Sequence, residues 1–270
     1  MSGTTGTNIV ALVGAAAWLP HIFSWLYRLF VKPQLRFVPE LTSEIGYSYA
    51  GGPIFNQTFA ISTHKKDALI ERLSLVIVHN NGEKHNFHWR FLGEKGFEMT
   101  SISGEKAEFS KNQTAIALKV SIVGLVEKKI FFQDFDFLAN NNPLVTKLSE
   151  KENHLKKTSE GKVKEEILKS KEYQDLLDNF KAGFYWRQGK YNVYLYAFET
   201  SFKKPHIEHF EFEISKMQSE QLEKNIDIIK EEIKTIILYK EKPTKDWPHR
   251  PPLNWVNTSF RRAQNNRLKK

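Results

Sequence analysis

The chain has no cysteine anywhere in its 270 residues. Disulfides, thiolate zinc sites, iron–sulfur clusters and cysteine nucleophiles are thereby excluded. His79, His85 and His88 gather around one predicted hairpin, and His206 and His209 share another predicted strand. Residues three apart on a strand face opposite sides. His85 and His88 therefore cannot hold one metal on a regular strand, and neither can His206 and His209. His209 and Glu211 do share a face, but without a third ligand at a known spacing they read as outward polar alternation. Asp134 and Asp136 resemble a carboxylate pair, yet on an outward strand face they read as solvated surface. No phosphate-binding glycine loop, dinucleotide fingerprint or nucleophile elbow is present. These residues predict a protein that is not an enzyme and carries no cofactor or metal.

Charge gives a stronger signal. The chain carries a net +9, and residues 240–270 hold nine Lys or Arg against Glu241 and Asp246. In that tail Trp247, Arg250, Trp255, Arg261, Arg262, Arg267, Lys269 and Lys270 interleave aromatic and basic side chains. The pattern suits the anionic inner leaflet of a bilayer, where cations are attracted and aromatic rings settle at the interface. A solvated tail whose tryptophans pack back on the body explains it equally, and nucleic acid ranks behind both.

The element that would place such a tail beside a membrane lies at the other end. Ile9–Tyr27 is a run of 19 residues with no formal charge. About 20 apolar residues cross a hydrocarbon core of about 30 Å. Arg28, Lys32 and Arg36 follow the run, and no Lys or Arg precedes it. That asymmetry predicts one transmembrane helix over 9–31, an outer tail at 1–8, and everything beyond on the cytoplasmic side of the plasma (inner) membrane. Trp25 and Tyr27 fall at the predicted inner interface. Pro20 should kink the helix, and His21, Ser24 and Arg28 line one side of it, either in the headgroup layer or as a polar seam.

From Gln34 to Leu138 the pattern is β: short alternating runs separated by turn residues, with Asn81-Gly82 as a hairpin dipeptide. Such spacing indicates a sandwich or a barrel. The economical reading is mainly β with helices: an immunoglobulin-like β-sandwich over 34–143 and 184–215, interrupted by a helical insertion at 144–183. Ser215 and Gln218 form a capping box opening an amphipathic helix over 216–240, and a basic Pro/Trp tail occupies 241–270.

The function this predicts is a single-pass, membrane-anchored cytoplasmic sandwich that recognises a protein partner or a small-molecule signal. The alternative is a ligand-gated effector whose anchor self-associates in the bilayer as a homo-oligomer, with His21 and Arg28 along the packing seam.

Overall fold

The computed structural model describes residues 18–26, 31–94, 98–100, 106–108, 111–158, 162–200, 204–239, 248 and 251–263. Of the expected span, residues 18–26 are helical (α1), while residues 9–17 and 27–30 lie outside the described residues. Among the described residues no helix is long and apolar enough to cross a membrane.

The body is built on one antiparallel sheet. Its long strands are β1 (Gln34–Ser48), β2 (Gly52–His64), β3 (Ala68–His79) and β4 (Lys84–Glu94). A separate ribbon of β5 (Glu98–Thr100) and β6 (Lys106–Glu108) follows, then the short β7 (Lys111–Thr114) and β8 (Leu118–Val120), and β9 (Val126–Asp134). Helices α2 (Phe135–Thr158), α3 (Val163–Leu168) and α4 (Lys171–Ala182) separate β9 from β10 (Gly189–Glu199) and β11 (His206–Ile214). Helices α5 (Lys216–Glu223) and α6 (Asn225–Tyr239) lead to β12 (Val256–Ser259) and β13 (Arg261–Arg262). The order across the sheet is β12-β1-β2-β9-β4-β3-β10-β11-β13.

That order nearly closes on itself. β12 pairs with β1 at one edge and β13 pairs with β11 at the other, yet only Phe260 separates them in the chain. The Phe260 N–H donates to the Leu41 carbonyl at 2.8 Å, and the Ala263 N–H to the His209 carbonyl at 3.0 Å. One C-terminal segment therefore clasps both edges, and the expected sandwich of two stacked sheets is instead a barrel-like single sheet. Long strands coil strongly where they carry bulges; register shifts occur at Pro39/Ser43, Trp89/Phe91 and Phe198/Glu199.

A barrel of about eight staves is just wide enough for side chains to fill, and aromatic rings fill this one. Phe37, Phe55, Phe59, Phe210 and Phe260 are fully buried together. Edge-to-face and offset contacts join them, such as Phe37–Phe59 at 5.9 Å and Phe210–Phe260 at 5.1 Å. At the end where the helices gather, the coil after α4 drives Tyr185 and Trp186 into the mouth. The Trp186 indole N–H donates to the Gly46 carbonyl at 2.9 Å, and the Tyr185 hydroxyl to that of Ile77 at 3.0 Å.

Four local expectations change. Within the expected β region, residues 115–123 keep only β8 in the sheet: the Asp67 carboxylate accepts the Ile122 N–H at 2.8 Å and the chain turns away. β9 stops at Asp134, so Asp134 and Asp136 do not share a strand face. Asp134 is buried and caps α2 by accepting the Phe137 N–H at 2.9 Å, while Asp136 lies in the helix's first turn. The capping box at Ser215 and Gln218 is present, but the helix it opens is split into α5 and α6 at Lys224. Residues 251–263 of the expected tail include the closing strand.

Candidate binding groove at the barrel seam

The two edges that the clasp joins do not meet along their whole length. β12 reaches only Thr42–Ile45 of β1, and β13 pairs only with Phe210 and Glu211. Among the described residues, no strand pairs with the 34–40 stretch of β1 on its seam side. The bulge after Pro39 diverts β1 here. Gln57 occupies it, donating from Nε2 to the Glu40 carbonyl at 3.0 Å. A proline inside a strand marks an edge or a bulge because it has no N–H to give the ladder.

The result is a groove of about 410 Å³ lined by Arg36, Phe37, Val38, Pro39, Leu41, Phe260, Arg261 and Arg262. Phe37 and Phe260 form its buried floor, while Val38 (44% exposed) and Leu41 (79% exposed) stand at its wall.

Cations edge the groove. Arg262 reaches across the seam, where Nη1 meets Glu208 Oε2 at 2.9 Å and Nη2 donates to the Phe37 carbonyl at 2.9 Å. His206 Nε2 approaches the other oxygen of Glu208 at 3.1 Å, and the His206 ring stacks on Phe37 at 5.9 Å. Burial alone would push the Glu208 carboxyl up. The hydrogen bond to His206 and the charge of Arg262 outweigh that and hold it below the usual glutamate value. Arg261 is tied outward, Nε donating to Glu211 Oε1 at 2.7 Å. Arg36 is exposed beside them. An apolar floor with guanidinium groups at its margin suits a ligand that joins an apolar portion to an anionic one.

The chain matches no family model, no curated protein and no solved structure.

The histidines do not converge. His85 Nδ1 meets Asp134 Oδ2 at 2.6 Å, with Glu83 Oε1 3.4 Å from its other nitrogen. His79 Nε2 meets the Gln188 carbonyl at 3.1 Å, and His88 sits edge-on to Phe135. His209 stacks on Tyr194 at 4.5 Å and meets Asn192 at 3.1 Å, whereas Glu211 serves Arg261. Among the described residues no cluster of three metal-ligating side chains occurs.

Of the residues expected at a membrane, Pro20, His21 and Trp25 lie in α1 and are exposed, and Lys32 is exposed just before β1. Tyr27, Arg28, Trp247, Arg250, Arg267, Lys269 and Lys270 lie outside the described residues. Trp255, half exposed, packs its ring over Gly46 and leaves no room there for a Cβ. The tail residues Arg261 and Arg262 thus help to build the seam rather than hang free of it. Sequence reasoning missed the groove itself; Pro39 within an alternating run was the signal that could have located it.

Proposed function

We propose that this protein is a single-pass membrane module without catalytic activity. Its N-terminal helix anchors it in the plasma (inner) membrane, N-terminus outside, and its β-barrel, on the cytoplasmic side, receives an apolar, anionic partner in the seam groove. One observation carries the anchor. Every described residue of α1 is exposed, among them Trp18 at 67%, Phe23 at 65% and Trp25 at 61%. A helix packed on the body would bury one stripe; a helix whose large apolar side chains are all uncovered by its own protein suits hydrocarbon. The uncharged run of Ile9–Tyr27 and the basic residues after it support the length and the orientation.

For the groove, the support is its composition. Val38 and Leu41 offer apolar surface over the buried rings of Phe37 and Phe260, with Arg36, Arg261 and Arg262 alongside. Arg262 on its lining is committed to Glu208, and Glu208 also to His206, as suits a binding surface more than an acid–base site. Alkaline extraction of membranes and a C-terminal reporter test the anchor: the protein should stay in the bilayer fraction, with the reporter active only on the inner side. A reporter active only outside, or release by alkali, overturns the reading.

A further inference from the structure

The chain enters the barrel at one rim. Gln34, three residues after Val31, pairs with His64, so the link from α1 arrives beside the turn that joins β2 to β3. The loop between β8 and β9 belongs to the same rim, since Val120 pairs with Ala68 and Val126 with Ile61. This loop, Ser-Ile-Val-Gly-Leu at residues 121–125, is apolar where loops are ordinarily polar. Ile122 is 49% exposed, Leu125 64% and Val123 94%.

Nor is the loop slack. Asp67 accepts the Ile122 N–H at 2.8 Å and the Ser121 hydroxyl at 3.4 Å, and the Gly124 N–H closes a turn on the Ser121 carbonyl at 3.2 Å. With the backbone satisfied inward, the apolar side chains are presented outward. Around them stand the exposed Lys65, Lys66 and Lys119, with Lys204 on the neighbouring turn. Asp67, the carboxylate among them, is occupied by the loop and lies 4.0 Å from Lys119. The turn at the opposite end, Asn80-Asn81-Gly82-Glu83, is polar.

We infer that this rim is a second membrane contact: Ile122, Val123 and Leu125 dip into the interface of an anionic leaflet while Lys65, Lys66 and Lys119 meet its headgroups. An apolar wedge ringed by lysines matches the two layers of such a surface, acyl chains beneath and phosphate above. The anchor's arrival at the same rim holds the loop against that surface at high effective concentration. The inference rests on the anchor reading. Its consequence is orientation, because two attachments on one rim fix the barrel upright, with the helical end away from the bilayer.

The absence of cysteine permits the test in the full chain. Single substitutions Val123→Cys, Phe23→Cys and Asn81→Cys each receive a nitroxide, and each protein is reconstituted in vesicles with and without phosphatidylserine. Accessibility to oxygen and to a water-soluble nickel reagent reports depth. In anionic vesicles the label at position 123 should gain oxygen and lose nickel accessibility several-fold. The gain should be smaller without phosphatidylserine and in the Lys65→Glu/Lys66→Glu background. The label at position 81 should stay aqueous and that at 23 should lie in hydrocarbon. A label at 123 that is aqueous in both lipids overturns the rim contact, and one immersed equally in both overturns its anionic half, the lysine contact with headgroups; either leaves the anchor intact. Protection from nickel without oxygen gain, which would indicate a protein partner, also overturns the rim contact. An aqueous label at position 23 overturns the anchor reading.

Discussion

Arg262 and Phe37 are separated by 225 positions in the chain, yet the guanidinium of one donates to the carbonyl of the other at 2.9 Å. That bond crosses the seam where the barrel does not zip shut. Only two residue pairs join β13 to β11, so the seam depends on side chains as well as on the ladder. Phe260 supplies the apolar half of the closure and Arg262 the polar half.

Replacing Phe260 with Ala should therefore open the clasp. The ring is fully buried against Phe55, Phe59, Phe210 and Phe212. Phe-to-Ala changes in a core cost about 3–5 kcal/mol. Chemical denaturation should show a loss of that size, and a loss under about 1 kcal/mol would mean that the C-terminal strand contributes little to closure.

Arg262→Ala is the milder change. It strips Glu208, whose side chain is 11% exposed, of one of its partners and takes a donor from the Phe37 carbonyl. Leaving a buried polar group unsatisfied costs about 1–3 kcal/mol. The loss should be partly restored in Arg262→Ala/Glu208→Gln, because removing the carboxylate charge removes much of the desolvation penalty. Non-additivity in that double-mutant cycle is the measurement.

Gly52 makes a separate demand at the end of the barrel where the helices gather. Its φ is +58°, and a Cβ there would run into the Phe137 ring. The left-handed conformation alone costs a residue with a side chain about 1–2 kcal/mol, and the forced shift of Phe137 adds to it. Gly52→Ala should lower stability by more than about 2 kcal/mol, whereas the same change at Gly124, whose Cβ would meet open space, should be nearly neutral.

The strands and the barrel were legible to different degrees. The β pattern over Gln34–Leu138 covered β1 to β4, Asn81-Gly82 located the turn between β3 and β4, and Ser215 with Gln218 located a helix start, since each of these is written within a few consecutive residues. Closure is not. The closing strand Val256–Arg262 holds few apolar residues and two adjacent arginines, so local pattern reads it as tail. Its strand character comes from edges supplied by residues 42–45 and 210–211. Asp134 misled for a related reason: a carboxylate that caps a helix and one that faces water look alike until the strand's end is known. The groove's floor was hidden in the same way, because Phe37 and Phe260 become neighbours only through the clasp.

Two ionisable groups at opposite ends of the barrel should respond to pH with opposite sign. Burial alone lowers the basicity of His85, but the hydrogen bond and charge of Asp134, with those of Glu83, more than reverse this and raise it above the ordinary 6.5. A raised value means that the folded state favours the protonated ring. Its contribution is thus complete below 6.5 and is lost as pH rises through the folded value. Glu208 is held below its ordinary 4.5, so its contribution is present above 4.5 and is lost as pH falls through the folded value. The stability difference between wild type and His85→Gln should shrink on going alkaline, and that between wild type and Glu208→Gln should shrink on going acid. Melting curves of the three proteins across pH would show this as two separate convergences. Parallel curves in the alkaline limb would mean that His85 is not held charged between Asp134 and Glu83. Parallel curves in the acid limb would remove the charged Glu208–Arg262 pair from the account of the seam.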